Sequence, residues 1–168
     1  ASAVIRAGGA LAVNATLGAS MRSTTRVSAA GLGSDATGSA ASDIIGGTTD
    51  AQIGTGANVQ ARTVSVVAQG SGIAVNADSE TFAGGLGVTN SSSGVSSVTN
   101  QSRVLVDANA QLRAAAGVDL RAGYAPGTSI VARGYADSDA FAGDTSTIGI
   151  ATADTDALVR TSDNARIT

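Results

Sequence analysis

A short stretch, Thr49 to Arg62 (TDAQIGTGANVQAR), is restated twice further along, and this recurrence limits the possible folds more than any single residue does. Thr99 to Arg113 reads TNQSRVLVDANAQLR, and Thr155 to Thr168 reads TDALVRTSDNARIT. Aligned from the first polar pair to the Ala-Asn or Asn-Ala step, the copies place Ile53, Val104 and Val159 in one column, at similar intervals. Ala51, Ser102 and Ala157 fall in another. Self-similarity at an interval of roughly 50 residues marks an array or solenoid, in which each unit buries its apolar side only against its neighbours.

Two more echoes extend the pattern. Ala1 to Ala15 matches Ala108 to Ala122, with Ile5 over Leu112, Arg6 over Arg113, Leu11 over Val118 and Val13 over Leu120; Ala57 to Ala68 is a shorter version. Ala77 to Gly84 (ADSETFAG) matches Ala136 to Gly143 (ADSDAFAG) at a slightly longer interval. This puts Phe82 level with Phe141, and Asp78 and Glu80 level with Asp137 and Asp139. The expectation is one solenoid segment over 1–168, built from about three imperfect repeats: 1–56, 57–107 and 108–162, with 163–168 opening the next. Such a segment reads as a fragment of a longer chain.

Composition agrees with a stacked rather than a globular core. Apolar residues make up 43% but aromatics only 2%, so the rings that usually bury most area per residue are nearly absent. Low charge and a single Pro argue against disorder. Without Cys there are no disulfides or thiolate metal sites. A net charge of −3 with scattered signs lacks the clustered basic footprint of nucleic-acid binding. No apolar run is long enough to form a transmembrane segment.

The alternation is that of strands. Val75, Ala77, Ser79, Thr81 and Ala83 share one parity, and Asn76, Asp78, Glu80 and Phe82 the other, so the small set can face inward while the charged set cannot. The run from Ile130 to Ala142 repeats this. Gly, Ser, Thr, Val and Asn disfavour helix residue by residue. The fold class expected is all-β, a parallel β-solenoid in which equal positions stack about 4.8 Å apart. Two or three coils per repeat would give about six to nine coils and roughly 30 to 45 Å of rod.

The step Ala51 to Val59, and the strands Ala7 to Ala15 and Ala114 to Ala122, resemble the repeats of large bacterial filamentous adhesins of the filamentous-haemagglutinin, two-partner-secretion type. That resemblance implies a right-handed parallel β-helix, carried out through an outer-membrane transporter and displayed outside the cell as a structural shaft supporting adhesion. It implies as partners the adjacent coils of the same chain, sister filaments, and host or bacterial surface glycans and proteins. Its motifs describe a coil and no active site.

The candidate site residues are the paired carboxylates Asp78 with Glu80 and Asp137 with Asp139. Two acids at i and i+2 leave a strand on one side, a geometry that could suit a glycosidase pair or a Ca²⁺ ligand set, but alternation favours reading them as a solvent-facing row. With no His, Lys or Cys to serve beside them, no catalytic residue, cofactor or metal is assigned, and the chain is read as a non-enzyme. Phe82 and Phe141 form either an outer aromatic row for a sister filament or a sugar ring, or rings turned inward by a bulge. Arg6, Arg62 and Arg113 recur as a basic ladder or as carbonyl caps and ion-pair partners. Asn14, Asn90 and Asn100 open formal glycosylation sequons.

Overall fold

In the computed structural model, which describes residues 3–168, Ala1 and Ser2 of the first echo lie outside the described residues. The alternating pattern forms strands almost throughout: β1 (Val4–Arg6), β2 (Ala10–Leu17), β3 (Ser20–Ile53), β4 (Asn58–Gly70), β5 (Ala74–Val106), β6 (Gln111–Tyr124), β7 (Ser129–Thr161) and β8 (Arg166–Ile167). Every pairing is parallel: β1 and β2 on β4, β4 on β6, β6 on β8, and β3 on β5 on β7. The fold is thus all-β, with parallel strands in stacked layers.

Ala10 pairs with Thr63, Ser20 with Ala74, and Ala74 in turn with Ser129, so each residue's neighbour in the stack lies a whole repeat further along the chain. One repeat therefore makes one layer, which corrects the expectation of two or three coils and of a rod of six to nine. The physical reason is the length of β3, β5 and β7, at 34, 33 and 33 residues. Each long strand spends most of a repeat on a single excursion out from the stack and back.

The return is visible in bonds across the excursion. Ser92 Oγ donates to Ser79 O at 2.7 Å, and Thr25 Oγ1 to Ser39 O at 2.7 Å. Thirteen extended residues would span about 40 Å, so these contacts require the strand to reverse between them. The reversal produces a two-walled fin whose walls meet through side chains. Inside it Ile73 faces Val98, Ala77 faces Gly94, Ser79 faces Ser92 and Thr81 faces Asn90, all of them buried.

The walls are drawn together by small polar side chains. Ser42 Oγ donates to Asn76 O at 2.9 Å, and Ser96 Oγ to Val131 O at 2.7 Å, the same bond one layer on. Asn90 Nδ2 donates to Asp137 O at 2.6 Å. Each bond joins one wall to the next layer of the other, so it supports both closure of the fin and stacking. At Gly94 the approach is close, because a Cβ there would lie 2.8 Å from Ala77 O and closer still to Arg133 O of the next layer. A ring or a branched side chain has no room at this level, which accounts for the scarcity of aromatics.

At the base of the fin, three short faces enclose the apolar core. Ala51, Ile53, Val104 and Val106 come from the ends of β3 and β5; Val59, Val64, Val66 and Ala68 from β4; and Leu112 from β6. Burying one Val or Leu side chain contributes about 1.5 to 3 kcal/mol, so this body carries most of the hydrophobic stabilisation.

A turn closes this body once per layer, with Ala57 N bonded to Gly54 O, Ala110 N to Asp107 O and Ala165 N to Ser162 O. Gly56, Asn109 and Asn164 occupy one position of it at φ of 70°, 58° and 58°. Gly and Asn are the residues that tolerate this left-handed conformation. Because the turns stack, register counts from them and not from the polar pair upstream. The partner of Val104 is accordingly Ala51, and Ile53 pairs with Val106, a correction of two residues. Val104 with Val159, and the Ile5, Leu11 and Val13 columns, are as expected. A shift of two preserves facing, so every side chain still points the way alternation dictates.

Two consequences can be measured by thermal unfolding. Gly94→Val should destabilise the chain by about 2 kcal/mol or more through overpacking between the walls, whereas Ser93→Val, on the outer side, should be nearly neutral. Asn109→Ala should cost about 1 kcal/mol and Asn109→Gly should not, since only Ala is strained at that φ.

Candidate interaction surface of the fin

Outward alternation places Asp78, Glu80 and Phe82 on the outer side of one fin wall, and Asp137 and Asp139 on the same wall one layer on. The expected equivalence of the two acidic pairs does not hold. Asp78 stands beside Arg133 and Glu80 beside Tyr135, while Asp137 stands beside Phe82 and Asp139 beside Gly84. The second ADS motif has therefore slid four positions toward the fin tip relative to the first. A slide of four is even, so the carboxylates stay outside.

The first pair is neutralised by the layer below. Arg22 Nη2 lies 3.6 Å from Asp78 Oδ2, and Arg26 Nε lies 3.5 Å from Glu80 Oε2. Arg26 also caps the ring of Phe82, 5.1 Å from its centroid, and Tyr135 lies 6.1 Å away on a tilted plane. Phe82 is thus a half-buried outer ring held between a cation and a second aromatic, and no bulge turns it inward. Asp137 and Asp139 have no ion-pair partner among the described residues. With Phe82, Ser28 and the bare Gly84 they border a shallow concavity of about 230 Å³. No group of three or more His, Cys, Asp or Glu residues suited to a metal occurs among the described residues.

Phe141 is not level with Phe82. It sits at the apex of the fin, between Ala140 and Ala142, and is 91% exposed. Its true equivalents are Leu32 and Leu86, 80% and 58% exposed, because Gly31 and Gly33 pair with Gly85 and Gly87, and these with Ala140 and Ala142. The apex therefore bears one large apolar side chain per layer. A legible signal for this existed in the Gly-Leu-Gly triplets at 31–33 and 85–87, one repeat apart.

The arginine ladder is also revised. Arg6 and Arg113 share a column, but Gln60 stands between them, and Arg62 lies past the corner, where its backbone N bonds to Gly9 O. Arg6 and Arg62 flank an open notch of about 630 Å³ floored by Ala7, Gly8, Ala61 and Ala115. Of the sequon residues, Asn90 and Asn100 are buried inside the stack, which closes both to glycosylation.

Elsewhere the strongest ion pair is Asp50 with Arg103, directly across two layers, with Arg103 Nε and Nη2 donating at 2.7 and 2.6 Å. These hydrogen bonds hold the Asp50 carboxyl below the usual carboxylate range, outweighing the small opposing effect of burial. Burial raises the Tyr124 hydroxyl above its ordinary value, and that group donates to Asn100 O at 2.7 Å.

Compared with known proteins, the chain matches no family model, no curated protein and no solved structure.

A depressed carboxyl in the folded state contributes stability above its unfolded pKa, and that contribution is lost as pH falls through the folded value. Wild type should therefore lose a small increment of melting temperature on acidification below about pH 4 that Asp50→Asn lacks. Acid titrations of the two proteins followed by circular dichroism read the difference.

Proposed function

We propose that the chain is a structural segment of the shaft of a large secreted bacterial surface adhesin or filament, a right-handed parallel β-helix whose work is to extend and stay rigid outside the cell. The observation that carries this reading is the continuous parallel ladder: β3, β5 and β7 match position for position along nearly their whole length, so each layer templates the next. The repeats that resemble filamentous-haemagglutinin adhesins support the same reading, and they bring with them transit through an outer-membrane transporter. No helix among the described residues is long and apolar enough to cross a membrane. The reading assigns the segment no catalysis and no cofactor; its partners are the coils before and after it.

A second reading gives the fin a binding role toward surface glycans, and the concavity beside Phe82, Asp137 and Asp139 favours it. The open edge of the Phe82 ring can pack against the apolar side of a sugar while the two neighbouring carboxylates accept its hydroxyl hydrogens. One experiment separates the two. In a cryo-EM map of the full-length protein, the shaft reading expects right-handed layers continuing at about 4.8 Å on both sides of this segment and bare fins. Density seated on Phe82 would favour the binding role, and a left-handed or unstacked fold would sink the shaft reading.

A further inference from the structure

The fold sorts charges that look scattered in the sequence. The outer half of the fin, residues 27–40, 81–93 and 136–149, holds Asp35, Asp137, Asp139 and Asp144 and no arginine. All ten arginines and the other nine acids lie elsewhere, so the fin end carries −4 while the remainder of the chain carries +1. Along the acidic end runs the exposed ridge of Leu32, Leu86 and Phe141.

The opposite chemistry occupies the body corner. The notch floored by Ala7, Gly8, Ala61 and Ala115 is lined by small side chains, and its lining contains Arg6 and Arg62 but no acid. Neither arginine, nor the neighbouring Arg113, has a carboxylate within ion-pair distance among the described residues. Both features run along the stacking axis and advance one element per layer, ridge residues at 32, 86 and 141 and corner residues at 7, 61 and 114. Their spacings therefore agree without any fitting.

We propose that the fin tip of one chain docks in the basic corner notch of a second copy lying alongside with its axis parallel. The apolar ridge enters the Ala- and Gly-lined floor, and Asp35, Asp139 and Asp144 face Arg6, Arg62 and Arg113. Tip and notch are different surfaces, so the contact is heterologous and each copy keeps a free tip and a free notch, which extends the row of rods sideways. Three layers bury well under a standard interface of about 1,600 Å², so a pair of isolated chains associates weakly. A longer stack gains contact with every layer it adds. The contact depends only on the geometry of the layers and not on the chain belonging to an adhesin.

The chain has no cysteine, which makes disulfide trapping clean. Leu32→Cys places a thiol on the ridge, and Gly8→Cys places one in the notch, where an added Cβ meets nothing within 4 Å. The two folded variants are mixed under mild oxidation at low salt. The mixed dimer should exceed either homodimer by about tenfold, as expected of a charge-complementary docking. It should fade as salt is raised and the charges are screened. Adding Arg6→Asp and Arg62→Asp to the notch variant should abolish it, and adding Asp139→Arg and Asp144→Arg to the ridge variant should then restore it. A statistical mixture of the three dimers, a dominant ridge-to-ridge dimer, or a mixed dimer indifferent to charge reversal would overturn the proposal. End-to-end association through the open edges of β3 and β7 would not trap this pair of thiols, so it cannot imitate the expected result.

Discussion

The two walls of each fin stand so close that, at Gly94, the backbone oxygens of Arg133 and Ala77 crowd the place a side chain would take. Most other features follow from that separation. At that level the inner residues are Gly, Ala and Ser, with Ile73 and Val98 facing each other only nearer the body. Small hydroxyls reach backbone oxygens across the gap, as Ser42, Ser92 and Ser96 do. A wider fin would need large apolar side chains, and this sequence does not supply them.

The molecule thus divides its stabilisation between two kinds of interior. In the body, Val, Ile and Leu side chains bury apolar area in the ordinary way. The fin gains little area per residue and relies on small polar contacts repeated from layer to layer, each of them modest. Where the two interiors meet, bulk is traded between columns. Leu17 packs into the space left by Gly47, and Tyr124 with Asn100 into the space left by Gly70. Single columns are therefore not uniform.

Stacking explains which resemblances within the sequence are structural and which are not. The echo of Ala1–Ala15 in Ala108–Ala122 is a true column match wherever it is described, through a middle layer that looks less similar. The ADS-x-x-FAG echo is a slid copy, because backbone bonding along the whole of a long strand outweighs the preference of any short motif for its twin. The outward face tolerates such drift, since side chains there meet solvent; the inward face does not, and its columns stay small.

What this sequence determined unaided was the strand, the parallel stack and the inside or outside facing of nearly every residue, because facing is a local property with period two. Asp78, Glu80, Asp137 and Asp139 could be placed on the outer side from alternation alone, whereas for Phe82 the sequence left an outer ring and one turned inward both open. What only the tertiary structure decided was that one repeat makes one layer, that Phe141 belongs with Leu32 and Leu86 and not with Phe82, and that acids and arginines part company between fin and body. Those outcomes depend on where a long strand folds back, and that is set by contacts between residues far apart in the chain and by the stacking of turns on other turns. Apart from the Gly-Leu-Gly triplets that mark the first two apices, no local pattern encodes them, since a slide by two or four positions leaves the alternation unchanged while giving every side chain a different neighbour.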